Sequence, residues 1–264
     1  MPAPAGLQFE HPERIAKGYF QFQVRNCRDR TFDLEVSDDL LTWRRLRALE
    51  SDRDPVTFCD ETSGNVRRRF YRARCDGGAF SQNVVGFLEV TAVPGFTMLA
   101  NPFHSNPNTV AGIFVAVPDG TAVLRFSTET GRLRSNVCRD GKWTHCSDTL
   151  APGEGIILFN PTHRPMRFDF VGEIRPGSHA IALPRGFSIC SSLFPVEGKL
   201  DGEIGLPLSH GDVVHMFDPA LQKYAIYAYP SEAWTANPPV IRMGEAFWIG
   251  KAETQHWVRE FFLR

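Results

Sequence analysis

Two decapeptides, PGFTMLANPF (94–103) and RGFSICSSLF (185–194), stand 91 residues apart, and the same shift holds without a gap almost to the end of the chain. Under it Gly95 falls on Gly186, Phe96 on Phe187, Phe103 on Phe194, Ile113 on Ile204, Val123 on Val214, Phe126 on Phe217, Trp143 on Trp234 and Phe170 on Phe261. Two Gly-Glu steps that launch apolar segments, in APGEGIILF and RMGEAFWIG, also coincide: Gly153 falls on Gly244 and Glu154 on Glu245. A register of this length reads as a tandem duplication of residues 82–172 and 173–264. The unit is longer than the roughly 20–50 residues of a solenoid repeat, so each copy is long enough to close a core of its own.

Within each copy the strand signals are short alternating or apolar runs broken by turn residues, such as GFLEVTAV, TAVLRFS and GIILFN in the first and DVVHMFD, KYAIYAY and AFWIGK in the second. The first 80 residues lie outside this register. There, GYFQFQV sets Phe20, Phe22 and Val24 on one face of a strand, and TFDLEVS does the same with Phe32, Leu34 and Val36. A chain with 21 Phe, 19 Pro and 22 Gly suits short strands and tight turns better than helices. The expectation is an all-β protein of three small sandwich or barrel modules in series: an arm over 1–17, an immunoglobulin- or fibronectin-like sandwich over 18–80, and the two copies.

The N-terminal stretch TFDLEVSDDLLTWRRL and the closing RRRFYRA resemble small fibronectin-type modules of secreted and surface proteins of environmental bacteria. The residues that carry the likeness are Ser37, Asp39, Leu40, Trp43, Arg68, Phe70, Tyr71 and Arg72, with one extra residue before Trp43. The duplicated unit is similar to a second bacterial surface pattern, matched by Gly95, Phe96, Asn101, Pro102, Pro152, Gly153, Glu154 and Gly155. The second copy departs from it, with Ser192 and Leu193 in place of Asn101 and Pro102, and Met243 in place of the turn proline. These resemblances imply a secreted or cell-surface setting and carry no activity with them.

Charge selects no partner. The net charge is −1, and the basic runs RRLR and RRRFYRAR share their module with Asp33, Glu35, Asp38 and Asp39, so no field suited to nucleic acid builds up. No apolar run approaches the roughly 18 residues of a membrane span, and the first residues lack the basic and apolar regions of a signal peptide.

Several residue sets invite a chemical reading. Glu154 and Glu245 could face each other for acid–base work, but each follows a glycine at the start of an apolar strand, where a carboxylate holds a tight turn by accepting backbone N–H groups. Cys138 and Cys146 bracket an Asp-Gly step that can turn a hairpin, which makes them the candidate disulfide. Neither Cys138, His145 and Cys146 nor the acids Asp52, Asp54, Asp60 and Glu61 have the spacing of a metal site, so no metal and no cofactor is expected. Ser209, His210 and Asp212 are near in sequence, which is no sign of a triad, and no catalytic motif is found. The reading is a non-catalytic surface protein that assembles with itself or with other surface subunits. The alternative is polysaccharide binding, as an adhesion module or an accessory region of a secreted polysaccharide-degrading system, through Trp143, Trp234, Tyr227 and Tyr229, set against core or interface roles for the two tryptophans.

Overall fold

The computed structural model describes residues 6–75, 77–230 and 233–263. The chain is all-β, and among the described residues it is built from several small sheets of which none closes into a barrel, with the four-residue α1 (Val110–Ile113) as the longest helix. The N-terminal part supplies β1 (Gln8–Arg14), β2 (Phe20–Arg25), β3 (Arg30–Ser37), β4 (Arg44–Ser51), β5 (Val56–Asp60) and β6 (Arg68–Cys75). The middle supplies β7 (Val84–Ala92), β8 (Gly95–Leu99), β9 (Ala122–Ser127), β10 (Arg132–Arg139), β11 (Lys142–Trp143), β12 (Ile156–Asn160) and β13 (Met166–Ile174). The last part supplies β14 (Gly177–Leu183), β15 (Gly186–Cys190), β16 (Gly198–Lys199), β17 (Asp212–Asp218), β18 (Lys223–Tyr229), β19 (Val240–Ile241), β20 (Phe247–Lys251) and β21 (Gln255–Phe261).

The sheet β1-β2-β5 packs on the five-stranded sheet β13-β7-β6-β3-β4. Phe20, Phe22, Phe32, Leu34, Tyr71 and Phe87 fill the space between them. The boundary expected near residue 81 therefore falls inside one sheet, since β6 pairs with β7 and sets Arg68 opposite Leu88. The physical reason is that β7 is apolar on both faces. Val85 and Phe87 enter the N-terminal core, while Val84, Leu88 and Val90 enter the next one, and a strand buried on both faces needs a layer on each side. The expected N-terminal arm is also corrected: residues 1–5 lie outside the described residues, and from Gln8 the chain is β1, paired with β2 and anchored by the buried Phe9.

The 91-residue shift has a counterpart in the sheets. β8, β9, β10 and β12 lie in the order β10-β9-β12-β8, and β15, β17, β18 and β20 in the order β18-β17-β20-β15. One continuous core joins both parts, with Leu99, Phe103, Trp143 and Leu158 packed in the same cluster as Cys190, Phe194, Phe247 and Trp257. Whether the two copies touch or lie apart, a question the sequence leaves open, is thereby answered.

An ionic network pins the N-terminal sandwich. Asp60, at the end of β5, accepts hydrogen bonds from Arg69 Nη1 (2.9 Å), Tyr71 Oη (2.7 Å), and the backbone N–H (2.9 Å) and hydroxyl (2.6 Å) of Thr62. Burial disfavours its ionised form, but those donors outweigh burial and hold the carboxyl below its usual range. Burial beside Asp60 pushes the Tyr71 phenol far up. The folded state thus binds the Asp60 proton more weakly than the unfolded chain does, so this contribution is present above the unfolded carboxylate range and is lost as pH falls below about 4. For Tyr71 the sign is opposite, and its contribution is lost as pH rises past about 10. Urea midpoints taken across the pH range are expected to fall at both ends for the wild type. Tyr71→Phe is expected to flatten the alkaline limb; an unchanged limb would contradict the assignment.

Candidate interaction surface

The two Gly-Glu steps build the seam between the copies. Gly153 and Gly244 take φ of +89° and +79°, a region open to glycine, and each passes its carbonyl to the other copy. Ala100 N–H donates to Gly244 O (2.9 Å) and Ser191 N–H to Gly153 O (3.0 Å), while Leu99 bridges to Glu245 and Cys190 to Glu154. Every one of these contacts has its partner under the 91-residue shift, with the roles of the copies exchanged. The carboxylates themselves turn back on their own loops: Glu154 Oε2 accepts from Ala151 N–H and Glu245 Oε2 from Arg242 N–H, both at 2.9 Å. Glu154 also meets Arg125 at 3.2 Å.

The structure brings three of the four proposed sugar-binding aromatics together. Trp234 lies edge-on to Tyr227 and Tyr229, with ring centroids 6.4 and 5.3 Å away, and its indole N–H donates to Asp201 Oδ2 at 2.8 Å. Trp143 lies elsewhere, in the first copy. It is 9% exposed, donates to Phe114 O at 3.2 Å and packs into the shared core. The Asp140-Gly141 step does turn a two-residue hairpin, but its register sets Cys138 opposite Trp143. The expected Cys138–Cys146 bridge is not formed: Cys138 points into the core from β10, whereas Cys146 lies past the hairpin and is exposed. Among the described residues no group of His, Cys, Asp or Glu is arranged to hold a metal ion.

A concavity of about 760 Å³ lies between the outer strands β1 and β13. Most of its charged groups already have partners. Glu10 pairs with Arg25, Arg14 Nε stands 3.6 Å from Asp169, and Glu173 accepts from Asn83 (2.8 Å) and Arg175 (2.6 Å). The backbone edge of β13 is partly covered as well, by reciprocal hydrogen bonds between His104 and Glu173 and by the Ser105 hydroxyl on Val171 O.

Sequence reasoning passed over a second surface, on the sheet β15-β20-β17-β18. Its face starts at the seam, where Trp248 meets Phe126 of the first copy (4.9 Å between centroids), and runs outward through Phe187 and His215 to Tyr224 and Ile226. Trp248 N–H donates to Tyr224 Oη at 3.2 Å, and Phe217 packs on Tyr224 at 4.8 Å. Burial holds His215 below its usual pKa range, so its ring is neutral near pH 7. Phe187, Tyr224 and Ile226 are 46%, 44% and 64% exposed, forming a contiguous apolar ridge on a chain that buries most of its other rings. The signal was in the alternation of KYAIYAY, whose even positions face one way and whose odd positions face Trp234, but alternation alone does not say which face is covered.

No protein-family model, curated protein or solved structure matches this chain. Among the described residues no helix is long and apolar enough to cross a membrane.

Proposed function

We propose that this chain is a non-catalytic structural protein of a secreted or cell-surface assembly, made of a fibronectin-like sandwich and a tandemly duplicated β unit, and that it works by associating with itself or with other surface subunits. The observation that carries the reading is the apolar ridge of Phe187, Tyr224 and Ile226, because exposed contiguous apolar surface on a soluble domain marks an interaction site. The shared cores support it: a chain whose layers are welded through β7 and through the seam holds such a surface rigidly. The likeness of the N-terminal stretch and of the first copy to bacterial surface patterns points to the same setting.

Light scattering coupled to size-exclusion chromatography, run over a wide concentration range with reductant present, tests the proposal. The mass is expected to rise above the 29.7 kDa of one chain as concentration increases. A constant single-chain mass would overturn it. A second reading, polysaccharide binding, is favoured by the ring set of Phe187, His215, Tyr224 and Trp248, which can stack on sugar faces. It predicts a change in tryptophan fluorescence on titration with polysaccharides that Tyr224→Ala removes, and flat titrations would eliminate it.

A further inference from the structure

The two copies share a fold plan yet treat one strand differently. β10 in the first copy and β18 in the second are equivalent, and β18 ends its four-stranded sheet. β10 reads RLRSNVCR and β18 reads KYAIYAY. In the first copy β11 covers β10 at Cys138 and Arg139, Arg132 and Arg134 stand on the stretch before it, and Arg134 is tied to Asp148 at 2.7 Å. Under the shift, Arg134 becomes Ala225, Ser135 becomes Ile226, Arg139 becomes Pro230 and Asp148 becomes Pro239. Natural sheets guard their edges with such charges because an open edge pairs with any compatible strand. The second copy has lost the guard and put exposed apolar residues in its place.

The backbone of β18 is open along part of its length. Gly211 N–H donates to Tyr229 O (2.9 Å), so odd residues turn their polar groups toward β17, and even residues turn theirs outward. Thr235 N–H caps Ala228 O at 3.0 Å, which closes one end. That leaves the N–H and C=O groups of Tyr224 and Ile226 pointing outward, with no backbone partner among the described residues.

Resting on the assembly reading above, we infer that β18 is a self-pairing edge, at which two copies of this chain join antiparallel about a two-fold axis through Ala225. In this register Tyr224 of one copy lies opposite Ile226 of the other, and each pair exchanges its free backbone hydrogen bonds. Aromatic and β-branched residues are favourable cross-strand neighbours. The charged Lys223 falls opposite a tyrosine, Tyr227, so no like charges meet, whereas the arginine-bearing β10 would bring Arg134 against itself in the equivalent register. The Thr235 cap lies beyond the paired segment. A second copy is the occupant this edge fits, because under the two-fold operation the sequence sets no like charges opposite each other and the apolar ridge continues across the new junction.

Two variants and two readouts test the pairing. Ile226→Lys changes a side chain that is 64% exposed, and it should raise the dimer dissociation constant by about tenfold or more, since a lysine guards an edge. Ser135→Lys, at the equivalent place in the first copy, should leave it unchanged. Ala225→Cys, made with the exposed Cys146 changed to Ser, should form an intermolecular disulfide under mild oxidation, because opposed residues of a non-hydrogen-bonded antiparallel pair sit at about 4.5 Å between Cα atoms. Arg134→Cys in the same background should not cross-link. If the chain self-associates but Ile226→Lys leaves association intact and Ala225→Cys stays monomeric on a non-reducing gel, the edge assignment is overturned while assembly survives. If wild type holds a single-chain mass at every concentration, both fall.

Discussion

Replacing Lys251 by Met is expected to lower the unfolding free energy of the whole chain by about 3–5 kcal/mol, read from urea denaturation. Lys251 and Asp212 form an ion pair whose side chains are both fully buried. The ammonium also donates to Pro207 O (2.8 Å) and Gln255 Oε1 (2.6 Å), and the carboxylate accepts from Ser209 N–H and Ala252 N–H, each at 2.8 Å. Taking away the cation strands a buried carboxylate that two backbone donors only partly satisfy, which is why truncating one partner costs far more than the pair contributes. At the equivalent positions the first copy has Thr121 and Asn160, both buried and neutral. Changing both Asp212 and Lys251 to those residues should therefore restore most of what the single change loses. If Lys251→Met shifts stability by less than about 1 kcal/mol, the pair is not the buried anchor described.

Valine at either seam glycine should be nearly as damaging, costing about 2–6 kcal/mol: about 1–3 from a side chain at positive φ and about 1–3 from overpacking. A Cβ on Gly153 would come within 2.6 Å of Leu193 Cδ2, and one on Gly244 within 2.8 Å of Val90 Cγ1. Each clash reaches into the opposite copy. The two substitutions should thus give similar losses and should both lower one common unfolding transition, since the core is shared. Two transitions, with only one moved by each variant, would mean that the copies fold independently.

Much of this architecture is written in residue periodicity. The all-β class and most strands follow from alternating runs, the Asp140-Gly141 hairpin from its turn residues, and the matching sheet orders from the 91-residue register. The strand β1 escaped because QFEHPER breaks its alternation: His11 takes φ of +50° and the pairing with β2 slips between Glu10 and Glu13. The module boundary was misplaced for a different reason. VVGFLEV is a nearly continuous apolar run, which signals burial on both faces, and only the partner strands reveal that β6 supplies one neighbour and β13 the other.

The interaction surface was the least legible part. The equivalent tryptophans invite a sugar-binding reading, yet Trp143 is a core residue and Trp234 is turned toward Tyr227, Tyr229 and Asp201. What distinguishes the second copy is a substitution pattern, arginine and serine giving way to alanine and isoleucine along one strand. It gains meaning only once that strand is known to end its sheet.

Backbone amide hydrogen exchange at rising protein concentration tests the central claim, that this chain assembles through the apolar edge of its second copy, most directly. The account predicts that the amides of Tyr224 and Ile226 exchange freely in dilute solution and become protected as concentration rises, while those of Leu133 and Ser135 on the guarded edge stay unprotected throughout. Equal and unchanging exchange at all four positions would contradict it.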